Sequence, residues 1–357
     1  MTIAYINRIA TAVPPNDVHA AFLNFAKSLL PDPSRSALFE RMAKKSEIEH
    51  RFSFFSPAQS SGGSAIDRDN FYVRGNFPST GARMQFFETH APGLAEKAVD
   101  RLQLGADRAL ITHLLVTCCT GLSAPGLDLE LVERCRLPRT VERTFIGFMG
   151  CYAAINALKM ARHIVRSEPH ARVLVVNLEL CTLHLQETQE FERLLSFLLW
   201  GDGCSACLVS AERRGFELED FCALVVPGSR ELITWNVRDS GFDMLLSGQV
   251  PASIQEAVKG GLAEILHGLP AEAFGLWAVH PGGRTVLDAV ERAIGLAPAA
   301  LSASRDVLRR FGNMSSASVM FVMDALLRSA ATGSAGCAMA FGPGLVAETM
   351  RFRAVGI

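Results

Sequence analysis

The stretch Phe145-Ile-Gly-Phe-Met-Gly-Cys151-Tyr-Ala-Ala-Ile-Asn-Ala-Leu-Lys-Met160 decides how this chain is read. A short apolar run with two glycines stops at one cysteine. Beyond it, Ala154, Leu158 and Ala161, with Ile164 beside Ile155, recur at helical spacing, and Asn156, Lys159, Arg162 and His163 fall on the other face. The pattern predicts a buried strand turning into a helix at Cys151. Unpaired N–H groups and the positive end of a helix dipole converge at such a turn. A thiol there is expected to titrate low, and the thiolate is the nucleophile. The bland reading is an inert packing cysteine.

Outward from that turn, strands and helices alternate. Ile111–Cys118, Ala171–Glu179 and Cys204–Ser210 read as strands, and the near-continuous Val/Leu run of the second is typical of a sheet covered on both faces. Helices are expected up to about Leu30, closed by Pro31 and Pro33, then over Ala37–Ser46, and from about Gly81 to Leu102 with a cap at Ser79 or Thr80. A Gly/Ser-rich segment at 61–80 precedes that cap. Leu276-Trp-Ala-Val-His280 runs into Pro281-Gly-Gly283 and a further helix, and Phe341-Gly-Pro-Gly344 reads as a tight loop between two strands. Arg213–Asp220 is very polar and marks the expected boundary between two α/β halves, 1–220 and 221–357.

Bulk properties narrow the function. Of 357 residues, 49% are hydrophobic and 20% charged, which fits a globular chain with a large core. With 35 basic and 36 acidic residues the net charge is −1, against a broad nucleic-acid surface. No signal peptide and no 18-residue apolar run is evident, so a cytoplasmic protein without a membrane span is expected. Nine scattered cysteines fit a reducing compartment. Cys204 and Cys207 look like half a metal site, yet residues three apart on a strand face opposite sides, so no metal is expected.

Cys151, His280 and Asn313 each end an apolar element beside glycine. Cys, His, Asn is also the order in papain-like peptidases, whose His and Asn follow roughly 130–150 residues after the nucleophile. Here they follow by 129 and 162 residues. The papain-type surround is absent, and Cys151 lies far into the chain. A peptidase or transpeptidase remains the minor reading.

Gly147-Phe-Met-Gly-Cys151, Trp200-Gly-Asp-Gly203, Val279-His-Pro-Gly-Gly283, Gly312-Asn-Met-Ser-Ser-Ala317 and Phe341-Gly-Pro-Gly344 together resemble the motif series of type III polyketide synthases, the chalcone synthase-like family. Order and spacing match from about residue 5 to 350. The resemblance implies a homodimer with the thiolase-like fold, two similar halves in five αβαβα layers. It makes Cys151 the nucleophile that takes an acyl group from a CoA thioester, and His280 the group that stabilises its thiolate. With Asn313, His280 would donate hydrogen bonds to the thioester oxygen while malonyl-CoA loses CO2, a developing charge that needs preorganised donors. Arg41 and Lys45, one turn apart, fall where the family holds the CoA phosphates, although Leu38 replaces a third cation. No metal or redox cofactor is implied; the CoA thioesters are substrates.

Departures from the plant enzymes concern specificity. Trp200 and Met244 stand at gatekeeper positions, and Trp235 at a cavity-lining glycine. Cys181, His184 and Cys119 replace starter-pocket threonines, and Phe341 belongs to the pocket loop, where Ala340 replaces a glycine. Ala124 matches a methionine that reaches into the partner subunit. These changes resemble bacterial members that take fatty acyl-CoA starters and release alkylpyrones or alkylresorcinols. Cys119 also resembles tetrahydroxynaphthalene synthases, which use malonyl-CoA alone, although a packing thiol is the simpler reading. The same residues also fit a ketoacyl synthase III-like initiator or, in a different class, a non-catalytic acyl-CoA-binding relative.

Overall fold

The computed structural model describes residues 2–58 and 65–356; the start of the Gly/Ser-rich segment, 61–64, lies outside the described residues. The first half runs β1 (Tyr5–Ala12), β2 (Asn16–Asp17), α1 (His19–Leu29), α2 (Pro33–Lys45), β3 (Phe52–Ser53), α3 (Thr80–Arg101), β4 (His113–Cys118), α4 (Leu127–Arg134), β5 (Glu142–Gly147), α5 (Ala153–Ser167), β6 (Val173–Leu180), α6 (Phe191–Phe197) and β7 (Asp202–Ser210). The rest runs β8 (Gly215–Val225), β9 (Ile233–Arg238), β10 (Gly241–Leu246), α7 (Val250–Gly260), α8 (Leu262–Ile265), β11 (Leu276–Val279), α9 (Arg284–Ile294), α10 (Ser302–Phe311), α11 (Ser316–Ser329), β12 (Ala335–Gly342) and β13 (Val346–Gly356).

Nine strands join in the order β11-β12-β13-β8-β1-β7-β6-β4-β5. Between β1 and β8 only Tyr5/Glu217 and Ile6/Phe216 pair, so the sheet turns a corner there into two blades. Helices α5 and α11 fill the space between the blades, each touching strands of both. Alternation along the strands produces the layers. On β6, Val173 and Val175 point into this central core, while Leu174 and Val176 point outward under α3. On β12, Ala338 and Ala340 face inward, while Cys337 and Met339 face α7 and α9. The result is helix, sheet, helix, sheet, helix: the thiolase-like arrangement. Cys204 and Cys207 fall in different clusters on opposite faces of β7, as a strand requires.

Two local expectations are corrected. Pro33 does not close a helix but opens α2, where its missing N–H is harmless and the Asp32 side chain caps Ser34 N at 2.8 Å. The strand before Cys151 is not buried, since β5 is the sheet's edge and Phe145 is 37% exposed. The polar stretch at 213–220 turns at Arg213–Arg214 and enters β8.

Candidate active site

Cys151 sits in a single 3-10 turn, Gly150–Tyr152, between β5 and α5. Gly150 has φ of +75°, and a Cβ there would lie 2.3 Å from Pro343 Cδ. Only glycine lets the Phe341–Gly344 loop close over the nucleophile's turn. Cys151 is 8% exposed. Burial pushes its thiol up to about 12, against hydrogen bonds from Ser315 and Asn313 that pull it down. Burial thus works against the low-titrating thiol expected at a helix N-terminus.

His280 follows β11, and its N–H donates to Met339 O at 2.7 Å. The side chain is 1% exposed, and neither ring nitrogen has a hydrogen-bond partner among the described residues. Burial holds it neutral, with its pKa lowered to about 3. The ring makes no hydrogen bond to Cys151, so the implied imidazole–thiolate pair is not formed in this structure. A neutral imidazole offers one donor and one acceptor, both free for a substrate.

Asn313 is fixed from two sides. Gly312, with φ of +68°, brings the chain so near Leu199 that a Cβ would lie 2.6 Å from its carbonyl oxygen. The Asn313 side chain accepts from Ser315 N at 2.9 Å through Oδ1, which leaves Nδ2 as the donor, 3.4 Å from Gly282 O.

One cavity collects these three residues. Trp200, Trp235, Met244, Cys119, Cys181 and Phe341 line it as well, as expected from the sequence. Met244 and Trp235 face each other across the β9–β10 hairpin. The Trp235 indole donates to Cys119 O at 2.6 Å, which ties that hairpin to the nucleophile's half. His184 does not line the cavity. Its ring stacks on Phe242 at 4.1 Å and meets Trp235 edge-on at 5.3 Å, so it backs the wall instead. A second, wider cleft, lined in part by Lys45 and Arg284, shares Leu246, Val250, Gly282 and Val286 with the inner cavity and so adjoins it. Arg41 is exposed on α2 and does not line this cleft.

Three contributors escape the sequence reading. The Ser315 hydroxyl favours the Cys151 thiolate and stands 3.4 Å from Cys119 Sγ. Glu179 is fully buried below the cavity and accepts from Cys119 N at 3.0 Å, Thr120 Oγ1 at 2.9 Å and Ser316 Oγ at 2.6 Å. One acidic residue near the end of a mostly apolar buried strand was the only signal for it. Arg284 carried none, because the cleft assembles from separate elements.

The Cys151 thiol at a helix-start turn, an unpartnered imidazole and an amide donor in one cavity at the junction of two blades fit a cysteine-dependent condensing acyltransferase of the thiolase fold. Residues 4–213 match the family model for the N-terminal domain of chalcone and stilbene synthases, and residues 217–356 match that for the C-terminal domain. The bisdemethoxycurcumin synthase of Oryza sativa subsp. japonica is 34% identical over 379 residues, covering 99% of this chain and 92% of its own. The α-pyrone synthesis polyketide synthase-like Pks18 of Mycobacterium tuberculosis is 32% identical, covering 98% and 91%. In fold, the C-terminal type III polyketide synthase domain of Steely1 from Dictyostelium superposes with a TM-score of 0.90 at 24% identity, over 99% of each chain. The chain belongs to the chalcone and stilbene synthase family and is a type III polyketide synthase, an acyltransferase that condenses malonyl-CoA with loss of CO2.

Proposed function

We propose that this synthase loads a fatty acyl-CoA starter on Cys151, extends it over several malonyl-CoA rounds and releases an alkylpyrone or alkylresorcinol. The unpartnered, buried His280 ring carries this reading. Cys151 Sγ attacks the starter thioester, its proton passes to the acceptor nitrogen of His280, and the departing CoA thiolate takes that proton back. Malonyl-CoA then binds with its thioester oxygen between the His280 and Asn313 donors. Its carboxylate leaves as CO2, and the electron pair left behind forms an enolate that these donors stabilise. The enolate carbon attacks the Cys151-bound acyl carbonyl, the carbon–sulfur bond breaks, and the Cys151 thiolate takes up a proton from solvent. The product, two carbons longer and bound to CoA, returns to Cys151 for the next round. No further cofactor enters.

Lys45 and Arg284 in the wider cleft suit the CoA phosphates, with Arg41 one turn behind Lys45. An apolar wall of tryptophan, methionine and cysteine suits an alkyl starter better than a hydroxylated aromatic one. Cys119 reads as a packing thiol, since burial raises it well above its usual range and Glu179 already holds it. The reading includes a cytoplasmic homodimer of two-half subunits, 1–220 and 221–357; the uncovered edge strand β5 with its exposed Phe145 gives the partner a place.

The test is incubation with malonyl-CoA and a starter panel from acetyl- to octadecanoyl-CoA plus an aromatic acyl-CoA, read by mass spectrometry. Pyrones or resorcinols that grow with the starter and vanish in Cys151→Ala are expected. Product from malonyl-CoA alone would replace this reading with a naphthalene-type synthase, and one condensation without ring closure with a ketoacyl synthase III-like initiator. Silence with every starter would leave an acyl-CoA-binding relative.

A further inference from the structure

Four residues of the β9–β10 hairpin, Ile233, Trp235, Met244 and Leu246, line the cavity around Cys151. Among the described residues the two strands pair only with each other and take no part in the nine-stranded sheet. A two-stranded hairpin is marginal in water by itself, so the position of this wall depends on what holds it. One end is tied to the Phe341–Gly344 loop, where Gly344 N–H donates to Ile233 O at 3.0 Å. At the other end the turn 238–241 meets the first turn of α3. Gly241, with φ of +112°, is buried there, and a Cβ on it would stand 2.8 Å from Arg83 Nε. Thr80 makes the polar part of this junction. Its N–H, a helix-start donor with no partner inside α3, donates to Asp239 O at 2.8 Å. Its Oγ1 accepts from Gly241 N at 2.7 Å and donates to Arg238 O. Ser79, not Thr80, caps α3, since its side chain accepts from Ala82 N at 3.3 Å. The Thr80 hydroxyl therefore serves the hairpin and not its own helix.

We propose that Thr80 is a positioning residue for product specificity: by pinning the hairpin turn it sets how far Trp235 and Met244 stand into the cavity, and with that the number of malonyl units added before release. The inference rests on the reading of that cavity as the place of chain growth. Thr80 itself does not line the cavity and acts only through the hairpin. The Trp235/Met244 pair lies three pairs in from Arg238/Gly241 on the same ladder, so a shift of the turn is carried along the strands to both side chains. Without the hydroxyl, Gly241 N–H and Arg238 O lose their bonds to α3, and only the Thr80 N–H bond to Asp239 O is left at this junction.

The experiment removes the hydroxyl and keeps the shape. Thr80→Val loses both side-chain bonds, and Thr80→Ser keeps them. Wild type and both variants are compared by hydrogen–deuterium exchange of the β9–β10 amides and by mass spectra of the products from octanoyl-CoA plus malonyl-CoA. Starter-free malonyl-CoA decarboxylation is the control, with melting temperature as a check on folding. Thr80→Val is expected to speed hairpin exchange about fivefold, the population shift that one lost hydrogen bond brings. The share of products with an extra malonyl unit should rise at least about twofold on the same ground, while decarboxylation stays at the wild-type rate. Thr80→Ser should match wild type in every readout. An unchanged product ratio in Thr80→Val overturns the proposal, as does a ratio that changes equally in Thr80→Ser. A fall of all rates together with the melting temperature, at a constant product ratio, overturns it too, because that is a merely structural role. Wild type that decarboxylates malonyl-CoA but leaves octanoyl-CoA unextended overturns the fatty acyl reading instead, and the product ratio is then read from malonyl-CoA alone.

Discussion

Trp200 and Asn313 are paired through their backbones: Asn313 N–H donates to Leu199 O at 2.7 Å, and Gly201 N–H donates to Asn313 O at 3.0 Å. This bridge ties Trp200, the proposed gatekeeper, to Asn313, the proposed donor, without using either side chain. One backbone feature thus positions two residues that line the Cys151 cavity.

Asn313→Ala therefore keeps the bridge and removes the donor. Malonyl-CoA decarboxylation is expected to fall by about 10²–10³, the usual cost of losing one oxyanion donor. Ser315 N loses its partner Asn313 Oδ1, so stability drops by about 1 kcal/mol. Steady-state release of CO2 and thermal melting separate the two effects. A decarboxylation rate within twofold of wild type would remove Asn313 from the catalytic set.

Cys151, pushed up to about 12 by burial, rests as a thiol. Alkylation by iodoacetamide in the absence of substrate should be slower at pH 7 than that of free cysteine and should accelerate steadily above pH 9, because only the thiolate reacts. Mass spectrometry of the modified peptide reads this directly. A fast reaction that levels off below pH 7 would mean a preformed thiolate and would restore the expectation drawn from the helix N-terminus.

Glu179 receives donors from Cys119 N, Thr120 Oγ1 and Ser316 Oγ and from the Cys119 thiol. Burial raises its pKa, while those donors favour the carboxylate. Glu179→Gln keeps the shape but turns an amide NH2 toward groups that also donate. A loss of about 2 kcal/mol is expected, since a buried donor left unpaired costs about 1–3 kcal/mol. Urea denaturation monitored by fluorescence measures it. An unchanged midpoint would show that the hydroxyls reorient at no cost.

How much of this was legible beforehand follows from what a sequence encodes locally. Periodicity located α5, β6, β7 and β11, because burial on defined faces writes itself into neighbouring residues. The glycines beside Cys151, His280 and Asn313 singled those residues out, and the cavity does bring the three together. Misreadings arose where a partner distant in sequence decides the outcome. Pro33 opens a helix because Asp32 caps it. β5 lies at the sheet edge because of strand order, which no single segment encodes. The Cys151 thiol is set by desolvation inside an assembled pocket, and His184 faces Phe242 rather than the cavity because β10 packs over it.

His184 also predicts a pH dependence. Its Nε2 faces Thr120 O at 2.7 Å, its Nδ1 accepts from Phe242 N at 3.0 Å, and burial lowers its pKa to about 3. The unfolded chain takes up this proton near pH 6.5, so the contribution is complete above 6.5 and lost as pH falls toward 3. Between pH 6.5 and 5 it should cost about 2 kcal/mol. His19 and His280, lowered to about 4 and about 3, act in the same direction. Asp202, raised to about 7, opposes them over the same range. Denaturant midpoints of wild type and His184→Gln at pH 7 and 5 test this; the variant should show the shallower loss, and equal slopes would refute it.

Trp235 donates its indole N–H to Cys119 O while its ring meets His184 and Phe242 edge-on. Trp235→Phe keeps an aromatic face against both neighbours but leaves the Cys119 carbonyl unpaired. That should cost about 1 kcal/mol and loosen the β9–β10 hairpin that carries Met244. Trp235→Ala goes further and opens the cavity on the hairpin side by most of an indole. A wider cavity lets the bound chain fold back before it is released, so products with additional malonyl units are expected from the same starter, at lower total turnover. Trp235→Phe should keep the wild-type product set. Mass spectra of both variants with one fixed acyl-CoA decide it. Longer products from Trp235→Phe as well would mean that the hydrogen bond to Cys119, rather than the volume of the indole, stops chain growth.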